Sequence, residues 1–172
     1  MSHLLLIDDD PVFRDLMARR LAREGLQVTA CANLEEAESE AVAPVELILL
    51  DLMLGEETGL AAIEPLNRRF QPRQLVVLTG YASIATTVEA MKRGATNYLA
   101  KPVDMGHLLA VLTGEATYSA DEQTRHTSPA ELEWEHIQRV LLAHEGNISL
   151  TARALGMHRR TLQRKLKKHS PF

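Results

Sequence analysis

Residues 4–11 read LLLIDDDP, and this stretch decides the fold. Leu4 to Ile7 are continuously apolar, as in a strand covered on both faces. Asp8, Asp9 and Asp10 stop the run. Pro11 then opens a helix, where its missing N–H costs nothing. A buried strand that runs straight into a helix is the first half of a β-α-β unit.

The same pattern recurs downstream. Further short apolar runs are Leu26–Ala30, Glu46–Leu50, Gln74–Thr79 and Thr96–Leu99, with helical segments between them. Asn33, Ser83 and Asp104 sit where helix N-caps belong, and Thr58 starts the third helix. Gly25 and Gly94 stand at helix ends. Pro65 falls inside the third helical segment and is expected to kink or split it. Five such units predict an α/β fold, a doubly wound five-stranded parallel sheet of flavodoxin-like order 2-1-3-4-5.

Residues 114–129 carry little apolar content and read as a linker. Residues 130–172 are then read as a small all-α domain. Leu132, Ile137, Val140, Leu141 and Leu142 form one broad stripe, and Trp134 reads as a core residue or a dimer contact. Two shorter helices follow around Gly156, with Leu162 and Leu166 facing inward. That is the skeleton of a helix-turn-helix. The chain therefore divides into 1–113, a linker 114–129, and 130–172.

Charge separates the two parts. The net formal charge of the 172 residues is −4, but residues 1–118 hold 10 basic and 17 acidic side chains. From Asn147 onward there are 7 basic residues and no acid. Such asymmetry points to two jobs, one of them toward a polyanion. It also predicts that the acidic part rests on the basic tail, through a contact that salt loosens. No apolar run approaches the ~20 residues that span a bilayer, so no membrane insertion is expected. MSHLLLIDDD has no basic leader region, and a cytoplasmic protein is the expectation. Cys31 is the single cysteine, so no disulfide framework forms; it reads as a small buried residue. His126, His136, His144 and His158 show no metal-ligand grouping.

In an open parallel sheet the site lies beyond the carboxyl ends of the strands. Asp8, Asp9 and Asp51 fall there, at the ends of the first and third strands, which flank the crevice. Crowded carboxylates repel, and a hard divalent cation, most simply Mg²⁺, relieves that. Thr79 adds a hydroxyl and Lys101 a positive charge at the same rim. A haloacid-dehalogenase-type phosphatase would need a second Asp where Met53 stands. A dinucleotide site would need G-x-G-x-x-G after the first strand, and none is present.

Together LLLIDDDP, ILLDLML, VVLTGYAS and GATNYLAKPV resemble the receiver domain of bacterial response regulators, over about residues 1–113. The resemblance implies that Asp51 accepts a phosphoryl group from a sensor histidine kinase. It implies that Asp8, Asp9, Asp51 and the backbone carbonyl of Met53 hold Mg²⁺. Thr79 and Lys101 would contact the phosphoryl group, with Thr79 and Tyr98 as the switch pair and Lys101–Pro102 as a cis peptide. In one respect the chain departs from the pattern: Gly55 stands where such domains often carry proline.

The tail, with WEHIQRV, MHRRTLQR and a closing HSP, resembles the Fis-type helix-turn-helix, and more narrowly the RegA/PrrA/ActR/RoxR group of redox-responsive regulators. That implies a phosphorylation-controlled transcription regulator, not an enzyme, that binds double-stranded DNA. A homodimer is expected when it is phosphorylated or DNA-bound, on two-fold symmetric sites. His158, Arg159, Arg160, Thr161, Gln163, Arg164 and Lys167 would face the DNA; Arg and Gln can read base edges and Lys neutralises phosphate. Two other readings use the same residues: a phospho-independent architectural DNA protein with a vestigial receiver, and a phosphorelay intermediate whose tail only dimerises.

Overall fold

The computed structural model describes residues 2–40, 44–55, 57–80, 82–115 and 129–168. Strand β1 (His3–Ile7) leads through Asp10 into α1 (Pro11–Arg23). Asp10 caps that helix by accepting from the N–H groups of Val12 and Phe13. Strands β2 (Gln27–Cys31) and β3 (Leu47–Leu50) flank α2 (Leu34–Glu40). A short antiparallel ribbon follows, β4 (Met53–Leu54) and β5 (Glu57–Thr58). Next come α3 (Ile63–Phe70), β6 (Gln74–Thr79), α4 (Ile84–Lys92), β7 (Asn97–Ala100) and α5 (Met105–Thr113).

The main sheet is parallel, in the order β2-β1-β3-β6-β7. Counting only its own strands, that is the expected 2-1-3-4-5; the ribbon is an addition that the apolar pattern does not reveal. The third helical segment is divided just ahead of Pro65. A 3₁₀ turn, Gly59–Ala62, precedes α3, so the proline lies in the first helical turn, where no N–H is required.

The strand residues alternate between two cores, as a period of two demands. Leu5, Ile7, Ile48, Leu50, Leu75, Val77 and Tyr98 pack with Ala37, Ile63, Leu66 and Ala90 from α2, α3 and α4. Leu4, Leu6, Leu47, Leu49, Val76, Leu78 and Leu99 pack with α1 and α5 through Met17, Leu21, Leu108, Val111 and Leu112. Both faces are covered, which is why these strands read as unbroken apolar runs.

The tail comprises α6 (Pro129–Ala143), α7 (Ile148–Ala154) and α8 (Arg159–Lys168). Helix α6 therefore begins at the last residue assigned to the linker. Asn147 caps α7 by accepting from Leu150 N–H, and Gly156 turns the chain at φ +66°. Trp134, Ile137 and Leu141 of α6 enclose a third core with Ala152, Leu162 and Leu166. Trp134 is thus a core residue; the side chain of Leu132 and the closing residues 169–172 lie outside the described residues.

The tail sits on the receiver through α6 and α4. Glu135 Oε1 accepts from the Ile84 N–H at 2.8 Å, at the positive end of α4. Met53 packs against the tail core, and Leu142 packs against the receiver core. This is not the acid-on-base contact that the charge split predicts. Leu162 and Leu166 turn α8 inward, so its basic side faces solvent, and the contact falls to the broad stripe of α6.

Candidate functional site

The strand register builds the site. Ile7 and Leu50 are partners across β1 and β3, so the residues that follow them emerge side by side. Asp51 N–H donates to the Ile7 carbonyl at 2.9 Å, holding the two strand ends together. Carboxylate oxygens of Asp8, Asp9 and Asp51 all lie within 4.8 Å of one another. Asp8 is 1% and Asp51 7% exposed, whereas Asp9 lies at the surface.

Lys101, just after β7, closes the cluster. Its backbone N–H donates to the Thr79 carbonyl at 2.9 Å, and its peptide to Pro102 is cis. The ammonium donates to Asp8 Oδ2 at 2.6 Å and Asp51 Oδ2 at 3.0 Å. Burial, with the Asp51 charge beside it, pushes Asp8 up to about 6, although Lys101 pulls the other way. For Lys101, burial acts downward, but the charges of Asp51 and Asp8 outweigh it and its pKa is raised. One ammonium between three carboxylates leaves a surplus of negative charge. Hard oxygen donors in that state are the donor set a divalent cation takes.

In the tail, His158, Arg159, Arg160, Arg164 and Lys167 are exposed along one side of α8, and Thr161 and Gln163 are half-buried. His158 precedes the helix and accepts through its carbonyl from the Thr161 and Leu162 N–H groups. No described acid interrupts this face. Lys165 turns away from it, toward Glu133 of α6 at 2.7 Å.

Residues 4–113 match the family described as response regulator receiver domain, and residues 128–169 match the bacterial regulatory protein, Fis family. The chain belongs to the response regulators. As such it is similar over nearly its full length to curated regulators. It is 41% identical to the acid tolerance regulatory protein ActR of Sinorhizobium medicae, covering 98% of this chain and 87% of that one. It is equally 41% identical to the photosynthetic apparatus regulatory protein RegA of Rhodovulum sulfidophilum, covering 98% and 92%. Among solved structures it is similar to a response regulator from Burkholderia pseudomallei, described with a phosphorylated aspartic acid, calcium ion and citrate. That similarity has a TM-score of 0.65 and 48% identity, covering 96% of this chain and 99% of that one.

This response regulator brings Asp8, Asp9, Asp51, Thr79 and Lys101 to one rim, as the strand-end pattern leads one to expect. Thr79 is fully buried at the end of β6. Tyr98 stands apart from the acids, in the core, with its hydroxyl 2.7 Å from Thr86 Oγ1 of α4. Burial pushes its phenol up to about 12. Met53 N–H donates to Asp51 Oδ1 at 3.2 Å. Cys31 is buried, and burial with the nearby Glu40 and Glu36 charges pushes its thiol up to about 11, which suits packing rather than reactivity.

Several supporting residues were not legible in the sequence. Asp10, third of the acidic run, is a helix cap, and its own N–H donates to Asp8 Oδ1 at 2.9 Å. Arg14 Nη1 donates to the Asp8 carbonyl at 2.7 Å. Gly55 explains the missing proline: it has φ +67° and donates its N–H to Asp9 Oδ2 at 3.0 Å. Proline has neither that φ nor that donor. Gly59 is required by close approach, because a Cβ there would collide with the Asp51 carbonyl oxygen. Glycine at these two positions was the available signal, but only the fold says what each glycine approaches.

Proposed function

We propose that Asp51 is the phosphoacceptor of a two-component system, and that its state controls DNA binding by the tail. The observation that carries this is the meeting of Asp8, Asp9 and Asp51 within 4.8 Å, with Lys101 bonded to two of them. Asp8, Asp9, Asp51 and the Met53 backbone carbonyl are the groups for Mg²⁺, which when bound neutralises charge on phosphoryl oxygens. An Asp51 oxygen forms the bond to phosphorus as the bond from the donor, a phosphohistidine of a sensor kinase, breaks. Lys101 and Thr79 hold the transferred group, and positioning supplies most of the rate. The acyl phosphate then draws Thr79, while Tyr98 links that movement through Thr86 to the start of α4.

The division of labour follows residues 1–113, 114–129 and 130–172. His158, Arg159, Arg160, Thr161, Gln163, Arg164 and Lys167 are the DNA-facing set, working in a homodimer on two-fold sites in the cytoplasm, in the control of respiration or redox balance. A second reading is phospho-independent binding to DNA, and the exposed basic side of α8 in the docked chain favours it.

DNA affinity measured with and without beryllofluoride plus Mg²⁺ separates the two. The first reading expects tighter binding with the phosphoryl mimic, absent in Asp51→Asn. Equal affinity in every arm supports the second. Loss of salt-dependent binding in Arg159→Ala/Arg160→Ala is expected under both, and retained binding would remove the DNA assignment.

A further inference from the structure

We propose that Phe13 is a positioning residue for phosphoryl transfer, holding the Lys101 ammonium through the face of its ring. The proposal rests on the reading of Lys101 and Asp51 given above. Lys101 Nζ lies 3.8 Å from the centroid of the Phe13 ring. Its carboxylate partners, Asp8 and Asp51, are at 2.6 and 3.0 Å. An ammonium has three N–H donors. Two point to carboxylates, and the ring, with its negative face, covers a further side of the charge.

The ring itself is held by the local sequence. Phe13 is the third residue of α1, and its N–H donates to Asp10 Oδ1 at 3.1 Å. Its body packs, half-buried, against the core beneath α1 and α5. The acidic run therefore does three things within six residues: Asp8 and Asp9 face the site, Asp10 starts the helix, and the helix places Phe13 against the lysine.

The chemistry gives this contact a use. When an Asp51 oxygen bonds to phosphorus, the partner that Lys101 holds there changes from a free carboxylate to an acyl phosphate. The ammonium must then turn toward a phosphoryl oxygen. A partner that takes no part in the bond changes helps keep the charge at the rim while Asp51 changes, so less reorganisation is left for the transfer step. With acetyl phosphate as donor, the O–P bond of the donor breaks and acetate leaves with the electron pair. Phe13 makes and breaks no bond.

The test separates the charge contact from simple packing. In the full chain, Phe13 is replaced by 4-fluoro-, 3,4-difluoro- and 3,4,5-trifluorophenylalanine, which keep the shape and progressively weaken the negative face. The rate of Asp51 phosphorylation by acetyl phosphate with Mg²⁺ is followed by intact mass, alongside the melting temperature. A stepwise fall reaching roughly 3- to 10-fold is expected, at an unchanged melting temperature. Phe13→Leu should fall at least as far, and Phe13→Tyr should keep most of the rate. A trifluoro variant that reacts as fast as the parent overturns the proposal, as does a loss that follows melting temperature alone. A parent chain that takes no phosphoryl group overturns the reading of Asp51 and this one with it, whereas a reactive parent with a flat series overturns only this one.

Discussion

The receiver core and the seam between receiver and tail are both helix packings, but they are finished differently. In the core, Leu5, Ile7, Ile48 and Leu50 are wholly buried, and helices cover both faces of the sheet. At the seam, Gln138 is 3% exposed, yet its Nε2 has no hydrogen-bond partner among the described residues. A cavity of about 620 Å³ lies beside it, lined by Leu52, Thr86, Arg93, Leu141 and Gly146 among others. Ile84, whose N–H holds Glu135, leaves 69% of itself in solvent. A buried amide without a partner and a poorly filled groove subtract from the contact's net free energy. The seam is less completely packed than the core.

The largest test of that contrast is truncation. Ile48→Ala should lower receiver stability by about 2–5 kcal/mol in chemical denaturation. Leu142→Ala, at the half-buried seam, should lower it by much less. Equal losses would show the seam to be as tightly built as the core.

The acid cluster should give the receiver a pH response. Asp8 has a folded value of about 6, above the usual 3.8. Its contribution to stability is therefore present below pH 3.8 and is lost as pH rises through 6. The proposed Mg²⁺ site needs the ionised Asp8 carboxylate, so added Mg²⁺ should stabilise the receiver more at pH 8 than at pH 5. At a hundred-fold excess over Kd the gain is about 2.7 kcal/mol, read as a rise in melting temperature. An equal rise at both pH values would remove Asp8 from the ligand set.

Filling the defect sharpens the comparison from the other side. Gln138→Leu removes the unpaired amide and should tighten the seam by roughly 1–3 kcal/mol, seen as a more compact scattering profile. The smallest effect is electrostatic. Glu135→Gln should weaken docking by about 0.3–1 kcal/mol, by removing an anion from the start of α4. Raising salt should change the domain arrangement little, because the contacts that join α6 to the receiver, Glu135 with the Ile84 N–H and Leu142 with the receiver core, pair no two charged side chains; a large opening in salt would restore the acid-on-base contact that the charge split predicts.

Much of this was legible along the chain because it is local. Strand runs, the caps at Ser83 and Asp104, and the glycines that end helices depend on neighbours within a turn or two. The acids at strand ends were legible as a site because a parallel sheet places its strand ends together. Less was legible where one residue needed two environments. Leu142 reads as part of a tail stripe, yet it packs on the receiver. Met53 reads as a neighbour of Asp51, yet its side chain joins the tail core.

The sequence by itself determined the five β-α units, the order of the site residues and the basic side of α8, since periodicity, capping and charge are properties of short windows. The tertiary structure alone decided that Gly55 holds Asp9, that Phe13 meets Lys101 and that α6 rather than α8 rests on the receiver. Each of those joins residues far apart in the chain, and their pairing depends on how the elements pack in space, which no local pattern encodes.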